Sequence, residues 1–464
     1  MNGLWTIDNI IIIIYLLFTL GLGIYVGRGV KNFKEYSVAN RNFGAFIIFA
    51  TLSASFIGGG FTTGIAGKVY LTGVAAIVAL LGFSLKEIIV AKVIAPRTKN
   101  FKNILSVGDI METNYGKTGK IITGIFSVLL CAGILGAQVG AIGAIFNIFL
   151  GIEPLYGILI GTGIVIIYDT VGGMKSVVLT DVIQFITLAI GIPLTFIFGL
   201  MHVGGWDSLV TKVPSSYFDF SSLFSGLNLV AFISLFLTFL LGETLVPPYV
   251  RRLFISKDSK TTEKGTFWSG IFSIPFFIIA GLIGLIAFAI DPSLESSNTA
   301  LPFTINTVLP IGLKGIVVAG MIAVVMSSAD SFLNSASVAF VNDILKPVSK
   351  KDHGEKKLLL FARLSTFITG ALAILFAVKI EKILDILIYA YNFWAPIILV
   401  PLAATILGYK SNLKIFLGSS FAGLGAVLVW TYALSNPYGF DGLIVGIFAN
   451  LLVFSIMTKF CKIK

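Results

Sequence analysis

The chain has 464 residues, is 56% hydrophobic and 12% charged, and carries a formal net charge of +11. That composition excludes an ordinary soluble domain, and apolar runs spread along the whole length leave no room for a soluble catalytic module. The basic surplus lies in short loops on one side of the predicted spans, which argues for membrane topology and against nucleic acid as a partner.

The chain reads as an all-α polytopic membrane protein of about 13 transmembrane helices. They are placed at 7–27, 42–66, 69–94, 121–149, 154–173, 177–200, 227–250, 265–290, 311–340, 358–378, 384–408, 413–434 and 441–458. The first, Ile7 to Gly27, is too long for a signal-peptide core and lacks a basic start, so it reads as a retained helix. An N-out, C-in orientation puts most of the 33 lysines and arginines inside, with Arg251 and Arg252 assigned to a cytoplasmic loop. Cys131 and Cys461 form no disulfide framework.

The second span, NFGAFIIFATLSASFIGGGFTTGIAG, holds three successive glycines, Gly58, Gly59 and Gly60. Each costs a helix roughly 1 kcal/mol relative to alanine. The run serves close helix packing, or it breaks the helix and frees carbonyls to bind an ion. Irregular backbone is tolerated at membrane depth only where it is buried or lines a cavity.

Segment 102–120 is polar and amphipathic, with Ser106 as the helix cap. Gln138 in the fourth span is a bundle-facing hydrogen bonder or a solute contact. In YDTVGGMKSVVLTDVIQF, Gly172 and Gly173 make a turn, and Asp181 and Gln184 follow on neighbouring faces. Asp181 caps the helix near the interface or enters the membrane as a functional carboxylate. The seventh span carries Gly242, Glu243, Pro247 and Pro248, and paired prolines break its hydrogen-bond ladder.

The stretch GMIAVVMSSADSFLNSASVAFVNDILKP, 320–347, is apolar enough to cross a membrane, yet its centre reads SSADS. An ionisable group in a span is costly and marks a functional site by default. Ser327, Ser328 and Ser331 share one helical face, and such an oxygen-rich face suits a hard cation. Tyr389, Tyr391, Phe393 and Trp394 in the eleventh span are packing, an interface belt or a ligand wall. The two histidines, His202 and His353, fall in loops, and no nucleophile–base or metal-ligand spacing points to an enzyme.

Two interrupted spans, the second and the seventh, stand five apart. Interrupted helices at matching positions in two halves point to an inverted-repeat secondary transporter with its site at mid-membrane. The halves are then 42–200 and 227–408, with an extra helix at 7–27 and two C-terminal helices over 413–458.

The motifs GGMKSVVLTDVIQ, MSSADSFLNSASVAFVNDILK, GETLVPPYVRRLFISKDSK and SVGDIMETNYG occur in an order that resembles the sodium:solute symporter family. That resemblance implies a leucine-transporter-like 5+5 inverted repeat with one extra N-terminal helix and sodium-driven alternating access. It implies a main Na+ site from the carbonyls of Ala54, Ile57 and Val324 and the hydroxyls of Ser327 and Ser328. It also implies a second sodium or proton site at Asp181, Ser327 and Ser331, with Asp330 between the serines. The solute is expected beside the glycine run, among Phe56, Gly59, Gly60, Phe61, Gln138, Glu243, Phe393 and Trp394. The glycine and serine motifs look most like a choline branch, but Phe56 and Leu245 stand where that branch has tryptophans.

The expectation is therefore a sodium-coupled symporter of a choline-like amine or a proline-like amino acid. It is a multi-pass protein of the cytoplasmic (cell inner) membrane, embedded in the lipid bilayer as a monomer or weak oligomer. The alternatives are a proton-coupled carrier of a small carboxylate or amine and a solute-sensing receptor. The receptor is disfavoured because only six residues follow the last span.

Overall fold

The computed structural model describes residues 6–220, 226–349, 353–379, 390–392 and 394–460. The chain folds into helices joined by short turns. They are α1 (Ile7–Gly27), α2 (Phe33–Val38), α3 (Ala45–Phe56), α4 (Gly59–Thr72), α5 (Ala75–Ile89), α6 (Val107–Leu150) and α7 (Pro154–Val203). Then come α8 (Trp206–Lys212), α9 (Gly226–Leu241), α10 (Pro247–Leu253), α11 (Ser259–Ile290), α12 (Ala300–Val308) and α13 (Leu313–Ala339). The last are α14 (Glu355–Lys379), α15 (Val400–Leu407), α16 (Leu413–Leu428) and α17 (Gly442–Phe460).

Among the described residues, nine helices are long and apolar enough to cross a membrane, or ten with α3 and α4 counted as one bent span. The sequence reading placed about thirteen, and part of the difference is α7. Its 50 residues would run about 75 Å, more than twice the roughly 30 Å hydrocarbon core. Gly173 interrupts it with φ +52° and ψ −145°, where a Cβ would lie 2.5 Å from the Tyr36 ring. The two arms on either side correspond to the predicted spans 154–173 and 177–200. In α6, Gly116 (φ +63°) divides the amphipathic entry from the span. Ser106 caps α6 as expected, in a reciprocal capping box with Asp109. Much of the predicted eleventh span, with Tyr389 and Phe393, lies outside the described residues.

The core sits on α13, where every residue from Val317 to Ala339 is buried. It packs against α7 and α6 on its long sides, with α1, α14, α3 and α10 around the rest. The outer helices turn bare hydrocarbon outward. Leu360, Leu364, Phe367, Ile368 and Leu372 on α14, and Ile10, Ile13, Ile14 and Leu17 on α1, are exposed. In water such faces would be unstable, so they are the surfaces that lipid covers.

Two helical paths break beside this core. The first break follows α3, with Ile57 and Gly58 out of helical geometry and a 51° bend between the flanking helices. The second occupies residues 242–246, between α9 and α10, with Leu245 at φ +56°. Pro247 and Pro248 do not cause it from inside a helix. They open α10 at its first turn, where a missing N–H costs nothing.

Candidate functional site

At the first break the last carbonyls of α3 lose the N–H donors that a continuing helix would supply. Some find other partners: Ser328 Oγ donates to the Ser55 carbonyl at 3.1 Å, and Thr62 Oγ1 to the Ile57 carbonyl at 3.0 Å. Gly58 fits so closely that a Cβ there would lie 2.6 Å from Ser328 Oγ. The break is therefore seated on α13 at Ser328, while the neighbouring Ser327 hydroxyl goes to Asp181. Ala54, Ile57, Val324, Ser327 and Ser328 are all buried around this junction. Their carbonyls and hydroxyls are oxygen donors of low charge, the set a small hard cation prefers.

Beside this junction the chain has placed a cation of its own. Arg252, on α10, is fully buried, and its Nη2 lies 2.8 Å from Asp181 Oδ2 and 2.6 Å from Ser331 Oγ. Its Nε donates to Thr51 Oγ1 at 2.9 Å and its Nη1 to the Pro248 carbonyl at 3.2 Å. Thr51 in turn donates to Asp181 Oδ2, and Ser327 donates to Asp181 Oδ1 at 2.5 Å. One guanidinium thus ties α10 to α3, α7 and α13. Asp181 is therefore not a helix cap but the ion-pair partner of Arg252, and Arg252 lies on α10 and not in a loop. Arg251 is buried too, donating to Ser335 Oγ at 3.1 Å and to the Ser37 carbonyl at 2.5 Å. Asp330 makes no direct ion pair with Arg252 among the described residues and accepts from Tyr168 and, at 3.1 Å, from Ser331.

The second break faces a layer of rings. Phe56, one residue before the first break, lies 5.3 Å from Phe83 and 6.5 Å from Tyr249, centroid to centroid. Phe61 adds contacts to Phe83 at 4.9 Å and to Phe239 at 6.2 Å. Glu243, buried in the second break, accepts a hydrogen bond from Tyr249 at 2.9 Å and another from Tyr391. Among these rings stands the ammonium of Lys86, 3.6 Å from the Phe83 centroid, 4.8 Å from Tyr249 and 5.7 Å from Phe56.

The expected residues do not all join one site. Phe56, Phe61 and Glu243 meet in the ring layer, and Gly59 and Gly60 open α4 beside it. Gln138 is buried in α6, with no hydrogen-bond partner for its Oε1 among the described residues. Trp394 is fully buried, and it is Tyr391, three residues earlier, that reaches Glu243. Phe393 lies outside the described residues. The sequence reading missed Lys86, Glu87, Thr51 and Tyr168. For the first two a signal existed, since LKE inside an apolar span is an ionisable pair at membrane depth.

A model of the sodium:solute symporter family matches residues 36–415. Sodium/proline symporters of Staphylococcus aureus strains, JH9 and USA300 among them, are 26% identical over 293 residues. That is 60% of this chain and 54% of theirs, so the match spans about half the length of these curated relatives. Among solved structures, a Na+-coupled sialic acid symporter in a substrate-bound outward-open state superposes with a TM-score of 0.83. It covers 98% of both chains at 20% identity. Mhp1, a nucleobase-cation-symport-1 family transporter, gives a TM-score of 0.59 at 13% identity, covering 91% of this chain and 94% of its own. These likenesses show the fold, the leucine-transporter-like architecture that the family resemblance implied.

Proposed function

Because the chain belongs to the sodium:solute symporter family, we propose that it imports a small polar organic solute by sodium-coupled alternating access. The observation that supports this most is the oxygen-rich junction where the first break meets Ser328, with Ser327 beside it. Sodium held there by Ala54, Ile57, Val324, Ser327 and Ser328 bridges the broken helix to α13, and so favours one of the two access states. A ligand shifts such an equilibrium only by its differential affinity for the two states, and a bridging ion has that property.

Arg252 already neutralises Asp181, so in this reading Asp181, Asp330 and Ser331 do not take a second sodium. Coupling then uses one ion per cycle. With the membrane potential inside-negative, each inward charge contributes roughly 2.3 kcal/mol per 100 mV. The basic loops support an N-out, C-in orientation in the plasma membrane. The solute site is the ring layer between the two breaks. A proline-like amino acid is favoured over choline, because the aromatic box that a quaternary amine would need already holds the Lys86 ammonium.

The test is uptake of labelled L-proline by proteoliposomes at fixed pH, with an inward sodium gradient or an equal potassium gradient. Uptake with sodium alone supports the reading. Uptake that ignores sodium and follows an imposed pH gradient moves the assignment to a proton-coupled carrier, with Asp330 as its first candidate.

A further inference from the structure

We infer that Lys86 is the solute's carboxylate partner, so that the site takes solutes bearing a carboxylate and rejects purely cationic ones. The inference rests on the reading of the ring layer as the solute site, and it names the chemistry that site recognises. Lys86 is only 3% exposed. Its Nζ lies 3.0 Å from Glu87 Oε1, yet among the described residues no acceptor meets it with hydrogen-bond geometry. A buried ammonium carries three donors, and leaving them unmatched is costly. The rings of Phe83, Tyr249 and Phe56 stabilise its charge but accept no conventional hydrogen bond. A carboxylate supplies the missing acceptor oxygens.

The position fits a solute. Phe56 immediately precedes the first break, and Tyr249 donates to Glu243 within the second. Lys86 therefore projects between the two irregular segments from a third helix, α5. A cavity lies along the same face of α5. It has a volume of about 430 Å³ and is lined by Ala75, Ala76 and Ala79 of α5 and by Ser234, Leu235 and Thr238 of α9. Ala79, Phe83 and Lys86 follow one another along one face of α5, at spacings of four and three. Thr238 is followed by Phe239. Phe83 and Phe239 both contact Phe61, so the ring layer around the Lys86 ammonium continues along α5 and α9 toward the residues that line the cavity.

A cationic solute meets the opposite situation. Its charge would compete for ring faces that the ammonium already uses, and would stand beside a like charge. A carboxylate gains both the acceptor role and the attraction. Glu87, 3.0 Å from the ammonium, and Glu243 in the second break set two carboxylates near one ammonium, which favours a zwitterion, whose own ammonium they can meet, over a simple organic anion.

The experiment is a thermal-shift titration of the purified full chain in detergent with saturating sodium. The probes are L-proline, L-prolinamide, pyruvate, succinate, glycine betaine and choline. The expected result is stabilisation by at least one carboxylate-bearing probe and none by prolinamide or choline. Lys86→Gln should weaken that carboxylate's half-saturation at least tenfold, while Lys86→Arg stays within about threefold of the parent. A sodium-only shift kept by Lys86→Gln shows that the variant is folded. A choline or prolinamide shift overturns the inference, as does a panel in which no carboxylate shifts the protein, or unchanged carboxylate affinity in Lys86→Gln. Loss of the sodium shift in the parent chain, with the carboxylate shift intact, would instead overturn sodium coupling and leave the role of Lys86 standing.

Discussion

Asp181→Asn removes the carboxylate paired with a guanidinium that has no solvent to turn to. Both side chains of the Asp181–Arg252 pair are wholly inaccessible, and the Nη2–Oδ2 distance is 2.8 Å. Breaking such a pair from one side leaves a buried charge uncompensated, at a cost of roughly 3–5 kcal/mol. That corresponds to about two to four orders of magnitude in the unfolding equilibrium constant. Arg252→Gln should cost a similar amount, since it strands Asp181 and also removes donors to Thr51, Ser331 and the Pro248 carbonyl. The double variant Asp181→Asn/Arg252→Gln carries no stranded charge. It should be markedly more stable than the sum of the two losses predicts, by about 2 kcal/mol or more, within the range seen for coupled neighbours. Equilibrium unfolding of the three variants and the parent in the same detergent measures this cycle. Additivity to within about 0.5 kcal/mol would refute the pairing and, with it, the argument that Arg252 fills the second cation position.

The sodium junction should be separable from stability. Ser328→Ala is expected to raise the sodium concentration for half-maximal response at least tenfold, with membrane abundance within about twofold of the parent by immunoblot. Gly58→Ala tests the same junction from the other side. Its φ of −51° suits alanine, so the new methyl acts by displacing the Ser328 hydroxyl 2.6 Å away, and sodium affinity should fall more than the melting temperature does. Ser106→Ala removes the α6 capping box together with the buried hydroxyl's bonds to Asp343 and Asn342, and should cost more than the roughly 1 kcal/mol of a cap alone in unfolding. Asp258, the cap of α11, has its carboxyl held below the usual range by the backbone N–H of Thr261. Its stabilisation is present above the ordinary carboxylate pKa of about 3.9 and is lost as pH falls through the lower folded value. Melting curves of Asp258→Asn should accordingly show a shallower acid-side decline than the parent.

What the sequence revealed follows the range of the interactions involved. The SSADS stretch stood out because hydroxyls and a carboxylate in an apolar span are expensive wherever they point. The α6 cap was legible because Ser106 and Asp109 are three residues apart and bond each other. The glycine run offered a break as one of two readings through backbone propensity, and the break falls at Ile57 and Gly58, just ahead of Gly59 and Gly60. Arg251 and Arg252 were misplaced because loop charges are counted by distance along the chain. The partners that bury them, Ser335, Ser37, Asp181 and Ser331, lie 71 to 214 positions away. The paired prolines were read as the cause of the second break, whereas they start α10 and the break precedes them. Lys86 and Glu87 were lost in the average hydropathy of a span whose other residues are mostly apolar. Tyr391 was overshadowed by the larger Trp394, and only the folded chain shows which of the two reaches Glu243.

The central claim is that the junction of the first break with Ser327 and Ser328 binds sodium. The most direct measurement is a titration of the purified chain with sodium chloride against potassium chloride at constant ionic strength and pH, read by melting temperature, for the parent and Ser328→Ala. Binding to the folded state alone raises stability with ligand concentration. The account predicts a saturable, sodium-specific rise in the parent that is displaced to at least tenfold higher sodium in Ser328→Ala. Identical sodium and potassium curves, or a sodium response unchanged by the substitution, would contradict it.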